Sequence, residues 1–222
     1  VRLFYIIYIE EACIMKVLVM LDSFKGSLSS IQAAKTIKNS LEKRESDYEV
    51  EILPIADGGE GTVESLIALS DIQEVKVRVN NPLFESHIAR YAYSKKDNLA
   101  IMEMSEASGL TLIKDRLSPM NASTHGVGEM ILDALDKGAS NFIIGIGGSA
   151  TNDGGIGMLS ALGYKFLDKE DKEINPGIGG VYDLARIDDS NVDPRLREAN
   201  FDIACDVDLS LIHISEPTRL RR

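Results

Sequence analysis

The sequence has no tryptophan, two cysteines and three histidines among 222 residues, and no apolar run long enough to cross a bilayer. Cys13 and Cys205 stand far apart, too few for a disulfide framework and without metal-ligand spacing, so both read as plain thiols of a reducing cytoplasm. A membrane span needs about 20 consecutive apolar residues. The amino-terminal run 3–9 falls well short of that, and Glu10 and Glu11 spoil a signal-peptide cleavage region after it. Basic charge is also scarce: 24 Lys and Arg against 35 Asp and Glu leave a formal net charge of −11. Such a balance repels nucleic-acid phosphates and anionic membranes and argues against both as partners.

What is present is a globular composition, 44% apolar, in a chain long enough to bury one or two cores. The ends differ from the middle. Met15 is the better start, immediately before a strand-like run, so residues 1–14 read as a non-native leader translated in frame. After Asp208 the acidic, patterned chain gives way to the segment 209–222, in which three of the last four residues are arginine. A basic tail could be an interaction segment, but this string resembles translated sequencing-adapter sequence and is expected to lie outside the fold.

Between those ends, residues 16–22 read as a buried strand. Ser29 followed by Gln32 is a capping-box signature that opens a helix with Ile31, Ala34, Ile37 and Leu41 on one face. Val50, Ile52 and Leu53 mark a second strand, followed by a glycine-rich loop at 56–61 and a short helix near 63–69. Strand, helix, strand, helix predicts a parallel sheet that binds ligands at the carboxyl ends of its strands. The pattern then changes. Val75, Val77 and Val79 alternate with Lys76 and Arg78, a turn follows at 80–82, and 88–93 and 99–104 read as short strands around a hairpin turn at 95–98. A domain boundary is therefore expected near residue 70, separating 15–70 from a second α/β unit at 71–208 with antiparallel strands. In that unit Ser123 or Thr124 caps a helix carrying Val127, Ile131, Ala134 and Leu135, closed by Gly138. A strand at 141–146, the loop 147–155, a helix ending before Gly163, a short strand at 164–167, a solvated turn at 168–173 and a last strand at 201–208 complete the pattern.

Polar loops at the ends of apolar strands are the places to look for chemistry. The first, 22–29 (Asp-Ser-Phe-Lys-Gly-Ser-Leu-Ser), ends a strand at Asp22 and carries Ser23 and Lys25 before a helix amino terminus, where free N–H groups and a point charge suit a phosphate or carboxylate. Taken alone, it is explained equally well by Ser27 and Ser29 capping the helix while Lys25 points to water, and it does not match a standard P-loop. The second, with Asp57, Gly58, Gly59 and Glu60, would repel phosphate. It is suited to ordering Mg²⁺, a substrate hydroxyl or the neighbouring lysine, although Asp-Gly pairs are more often plain turns. The third, 147–155, is the most informative. Gly147 and Gly148 free backbone N–H groups, Ser149, Thr151 and Asn152 can hydrogen-bond an anion, and Asp153 can bind a metal or orient a hydroxyl; a tight turn with an Asx cap is the competing account. The fourth, Asp206 and Asp208, puts two carboxylates on one side of a strand end, where they could hold Mg²⁺ or act as a base, or simply be solvated. His87 reads as structural, and His125 as a residue that caps or packs.

Together, the segments 22–29, 55–62 (Ile-Ala-Asp-Gly-Gly-Glu-Gly-Thr), 103–110 (Glu-Met-Ser-Glu-Ala-Ser-Gly-Leu), 147–155 and 205–208 (Cys-Asp-Val-Asp) resemble the glycerate kinase type 1 family of bacteria, continuously from Met15 to Asp208. The resemblance implies two α/β domains, one flavodoxin-like (Rossmann-like) and built from both ends of a full-length chain, so that only its amino-terminal part is present here. The second domain is inserted within the first and carries a mixed sheet. It also implies transfer of the γ-phosphoryl group of ATP to D-glycerate at the 2-hydroxyl, with Mg²⁺ required. Lys25, Asp153, Asp206 and Asp208 are then the candidate catalytic residues, with Asp153 and Asp208 as candidate metal ligands. Where family members continue with Asn-Pro-Leu and a long carboxyl-terminal half, this chain reads Leu209-Ser210, so the polypeptide is expected to be inactive by itself. A non-catalytic module holding a phosphorylated metabolite is the alternative. A nicotinamide dehydrogenase is disfavoured because the first loop lacks G-x-G-x-x-G.

Overall fold

A computed structural model of the chain describes residues 8–11, 14–22, 24, 27–44, 48–55, 61–69 and 72–205. The first unit is small. Strands β1 (Tyr8–Glu11), β2 (Ile14–Val19) and β3 (Tyr48–Ile52) form a sheet in the order β1-β2-β3. Residues 8–11, set apart from the fold by the sequence pattern, pair antiparallel with β2. The β2–β3 pair is parallel, as the strand-helix-strand order predicts, and the helix between them is α1 (Ser30–Arg44). Its start is the capping box read from the sequence: the Ser29 amide donates to Gln32 Oε1 and the Gln32 amide to Ser29 Oγ, both at 3.3 Å. Such a cap is worth about 1 kcal/mol, and Lys43 and Arg44 in the last turn suit the negative end of the helix dipole. Ala33 and Ala34 on α1 bury against Val17, Val19 and Val50. Small residues there let the helix lie close to the sheet.

The second unit is built on α2 (Thr62–Leu69) and a five-stranded mixed sheet of β4 (Gln73–Asn80), β5 (Ser86–Ser94), β6 (Leu99–Glu103), β7 (Asn141–Gly145) and β10 (Asn200–Ala204), in the order β10-β7-β6-β5-β4. β4, β5 and β6 are antiparallel neighbours, whereas β6, β7 and β10 run parallel. Because side chains alternate along a strand, the sheet has two apolar faces. Tyr91, Met102, Phe142 and Ile144 pack on Val127, Met130, Ile131 and Ala134 of α4 (His125–Asp136). On the opposite face Ala92, Ile101 and Ile143 meet Val63, Leu66 and Ile67 of α2. Helix α2, which sequence order groups with the first unit, thus lays its apolar side on the second sheet. Helices on both faces explain why β6 is an almost unbroken buried run.

Two tyrosines fix α4 to the sheet by their polar ends: Tyr91 donates to Asp133 Oδ2 at 2.6 Å and Tyr93 to the Lys137 carbonyl at 2.7 Å. The remaining α-helices and strands among the described residues are α3 (Met104–Ser108), α5 (Ile156–Ala161) and a small antiparallel pair, β8 (Lys165–Leu167) with β9 (Arg186–Asp188). Thr124 stands at the N-cap position of α4, but its hydroxyl does not cap that helix. It is engaged elsewhere, as described below.

The turn joining β4 to β5 carries its own electrostatic clamp. Asn81 Oδ1 accepts from the Leu83 and Glu85 amides, while Arg116 Nη2 donates to Glu85 Oε2 at 2.7 Å. The Arg116 guanidinium first, and the Asn81 amide second, hold the Glu85 carboxyl down at about 2. A carboxyl depressed in this way contributes stability that is complete above the ordinary glutamate range and is lost as pH falls towards 2. A carbon-detected titration of Glu85 is expected to show a midpoint near 2, rising towards the ordinary range in Arg116→Ala; an unshifted midpoint in the native chain would mean that the clamp does not form in solution.

Candidate active site

The last residues of the three parallel strands, Glu103, Gly145 and Ala204, lie side by side in register. The segments 104–110 and 146–155, and Cys205, therefore leave the sheet along one edge. The two segments are laced together. The Ala150 amide donates to the Ser108 carbonyl at 2.8 Å and the Leu110 amide to the Gly148 carbonyl at 3.0 Å. Gly61 and the first turn of α2 reach the same edge, because the amides of Gly61 and Val63 donate to the Glu103 carboxylate. Ser29, at the end of the first polar loop, lies 3.5 Å from Glu64 Oε1 on α2. Stretches far apart in sequence thus meet at this edge of the sheet, where polar side chains collect.

Within the 147–155 loop, Gly148 has φ +73°, a conformation that a side chain resists, and a Cβ there would press on Ser105 Cβ at 3.3 Å. The hydroxyls of Ser149 and Thr151 are 2.7 Å apart, and Ser149 Oγ also accepts from the Thr151 amide at 3.1 Å. Asn152 is exposed. Asp153 is the opposite, only 1% exposed. Its Oδ2 accepts from the Thr124 amide (2.8 Å), the Thr124 hydroxyl (2.8 Å) and the Gly157 amide (3.1 Å), and its Oδ1 from the Gly155 amide (3.2 Å). Thr124 Oγ1 in turn accepts from the Met158 amide at 2.9 Å. Asp153 and Thr124 therefore stitch the start of α4 to the start of α5. A carboxylate already filled by protein donors and closed to solvent does not fit a direct metal ligand, although the sequence pattern offers it as one.

Glu103 was not among the candidates drawn from the sequence. It is 2% exposed and ends an otherwise apolar strand. Val63 N–H approaches Oε1 at 2.7 Å, while Gly61 N–H (3.2 Å) and Ser105 Oγ (3.1 Å) approach Oε2. Burial, foremost, and the nearby charge of Glu106 push its carboxyl up, while the two amides and the serine hydroxyl pull it back. The available signal was its place in the 103–110 segment, as a charge at the carboxyl end of a buried run.

Of the other candidates, Asp22 is half-buried just beyond β2. Ser23, Lys25, Asp57, Gly58, Gly59, Glu60, Asp206 and Asp208 lie outside the described residues, as do the sequence-based readings of the 209–222 tail. Ser29 alone makes the helix cap; Ser27 instead closes a tight turn by donating its amide to the Phe24 carbonyl. His87 is half-buried in β5, and His125 packs against Phe84 with ring centroids 5.4 Å apart. Among the described residues no group of three or more His, Cys, Asp or Glu could hold a metal ion, and no helix is long and apolar enough to cross a membrane.

A sequence profile described as Glycerate kinase family matches residues 17–214. The chain is 45% identical to the glycerate kinase of Bacillus subtilis (strain 168) over 195 residues, covering 87% of this chain and 51% of that protein. It is 42% identical to the glycerate 2-kinase of Escherichia coli (strain K12) over 207 residues, covering 93% and 54%. Among solved structures, a crystal structure described as glycerate kinase 2 from Salmonella typhimurium LT2 superposes with a TM-score of 0.75 at 38% identity, covering 93% of this chain and 57% of that one. The chain spans about half the length of the curated relatives it matches.

Proposed function

Because the chain belongs to the glycerate kinase family, we propose that it supplies the phosphoryl-transfer site of an enzyme that moves the γ-phosphoryl group of ATP to the 2-hydroxyl of D-glycerate. The observation that carries this reading is the meeting of the 61–63, 103–110 and 147–155 segments at the carboxyl ends of β6, β7 and β10. Phosphoryl transfer depends chiefly on positioning and charge stabilisation, and the segments that meet at this edge are the ones that would supply both. Lys25, the backbone of Gly147 and Gly148, and the side chains of Ser149, Thr151 and Asn152 would hold the phosphates. Asp22, Ser23 and the 57–60 loop would line the same space and orient glycerate.

In the transfer itself the 2-hydroxyl oxygen of glycerate forms the new bond to the γ-phosphorus, the bond to the β–γ bridging oxygen breaks, and ADP leaves. Asp206 and Asp208 follow β10 directly, and one of them takes the hydroxyl proton. Mg²⁺, when bound, neutralises charge on the phosphates, and the carboxylates available to it are Asp57, Glu60, Asp206 and Asp208. Asp153 acts from behind, by fixing the shape of the loop whose front bears Ser149 and Asn152. The 2-hydroxyl is favoured over the 3-hydroxyl by the likeness to the Escherichia coli protein named glycerate 2-kinase.

The test uses the 222-residue chain beside the same chain completed with the remaining carboxyl-terminal part of the Bacillus subtilis relative. MgATP binding is measured for both, together with D-glycerate-dependent ADP release, and ³¹P NMR identifies the product. The expected result is binding and formation of 2-phosphoglycerate by the completed chain. MgATP binding without any glycerate-dependent ADP release would overturn the kinase reading in favour of a module that only holds phosphorylated metabolites.

A further inference from the structure

We infer that Glu103 is a positioning residue that sets the start of α2, at Gly61 and Val63, and the 147–155 loop in register with one another, acting partly through Ser105. The inference rests on the proposed function for its consequence, but the latch itself is a matter of geometry. A carboxylate at 2% exposure is costly unless its acceptors are filled, and those of Glu103 are filled by donors from outside its own strand. Gly61 and Val63 lie about forty residues upstream, one just before α2 and one in its first turn. Their amides are among those a helix start leaves without intrahelical partners, so a carboxylate projecting from the end of β6 caps α2 from a distance. The cap fixes the place of Gly61 and of the first turn of α2.

Ser105 extends the connection in the other direction. Its hydroxyl donates to Glu103 Oε2 at 3.1 Å, and its Cβ lies where a side chain on Gly148 would press at 3.3 Å. Its carbonyl oxygen lies against Gly109, too close to admit a Cβ, and Gly109 is the bridge partner of Ser149. One buried carboxylate and the serine beside it thus touch the end of one polar loop and the start of another. A shift of about 1 Å in such groups can cost on the order of 100-fold in rate, so a rigid tie at this point serves transfer between ligands held by the two loops.

The experiment is amide hydrogen exchange on the 222-residue chain and its Glu103→Gln, Glu103→Ala and Ser105→Ala variants, with MgATP affinity measured in parallel. Glutamine keeps the shape and one acceptor, so it guards against a variant that simply fails to fold. Exchange at Gly61 is expected to rise at least tenfold in Glu103→Gln and in Glu103→Ala, and at Ala150 at least threefold, while amides of α1 and β4 stay within twofold. Ser105→Ala is expected to move Ala150 but leave Val63 slow. MgATP affinity is expected to fall at least fivefold in Glu103→Ala and to be partly restored in Glu103→Gln. Exchange at Gly61 and Val63 within twofold of the parent in both Glu103 variants would overturn the latch, and so would a loop at 147–151 that does not respond. If the parent chain binds no MgATP, the nucleotide reading fails for this chain, and the exchange pattern alone decides whether the latch exists.

Discussion

Asp153→Ala is expected to lower the unfolding free energy by about 4 kcal/mol or more, since each of the four donors it strands costs roughly 1 kcal/mol at least. The amides of Thr124, Gly155 and Gly157 and the Thr124 hydroxyl all point at this one carboxylate. None of the three amides can recover its partner by turning, because their directions are fixed by the helix starts to which they belong. Asp153→Asn retains an acceptor oxygen and should lose less, about 1–2 kcal/mol, with a donor now facing an N–H group. Urea unfolding followed by circular dichroism separates the cases. A midpoint for Asp153→Ala indistinguishable from the parent would show that the carboxylate is not structural and return it to the list of groups that meet a ligand.

Gly128→Ala should also destabilise, by about 2–3 kcal/mol, which corresponds to a Tm lower by roughly 4–12 °C in a chain of this size. The sign is the informative part, because glycine to alanine inside an ordinary helix gains about 0.5–1 kcal/mol. Here a Cβ would collide with the Met158 carbonyl oxygen and come within 2.6 Å of Ala161 Cβ, both on α5. The helices would have to separate, and the Asp153–Thr124 connection at their starts would be pulled with them. A raised Tm would mean that α4 and α5 lie farther apart than the structure has them.

Local features were legible in the sequence, whereas beyond the parallel β2–β3 pair the long-range ones were not. The Ser29–Gln32 capping box, the 95–98 hairpin turn and the alternation of Val75, Val77 and Val79 are set by neighbours within a few residues, and each appears where the pattern puts it. The pairing of β6 with β7 and of β7 with β10 joins segments about forty and sixty residues apart, and no periodicity in any one strand names its partner. For the same reason α2 read as part of the first unit: Val63, Leu66 and Ile67 form an apolar face that either sheet could bury. In the site, polarity was visible but direction was not. Thr124 read as a cap for its own helix because sequence offers only local partners, whereas its hydroxyl bonds to Asp153 twenty-nine residues away. A dense polar loop likewise suggests that every member faces a ligand, yet Asn152 is exposed and Asp153 beside it is buried.

The place of β10 has a consequence for the order in which the molecule assembles. Its register with β7 brings Ala204 level with Gly145 and stacks Phe201 on Phe142, with ring centroids 4.7 Å apart. Contacts this distant in sequence carry a large loop-closure cost and form late. During synthesis β4, β5, β6 and then β7 can pair as they emerge, while the pairing of β10 with β7 must wait for residues 200–204 to clear the ribosome. Until then Phe142 lacks its aromatic cover and β7 offers an open edge to other nascent chains. Translation that slows between residues 145 and 200 should therefore favour aggregation over folding, and the candidate site would be among the last parts of this chain to mature.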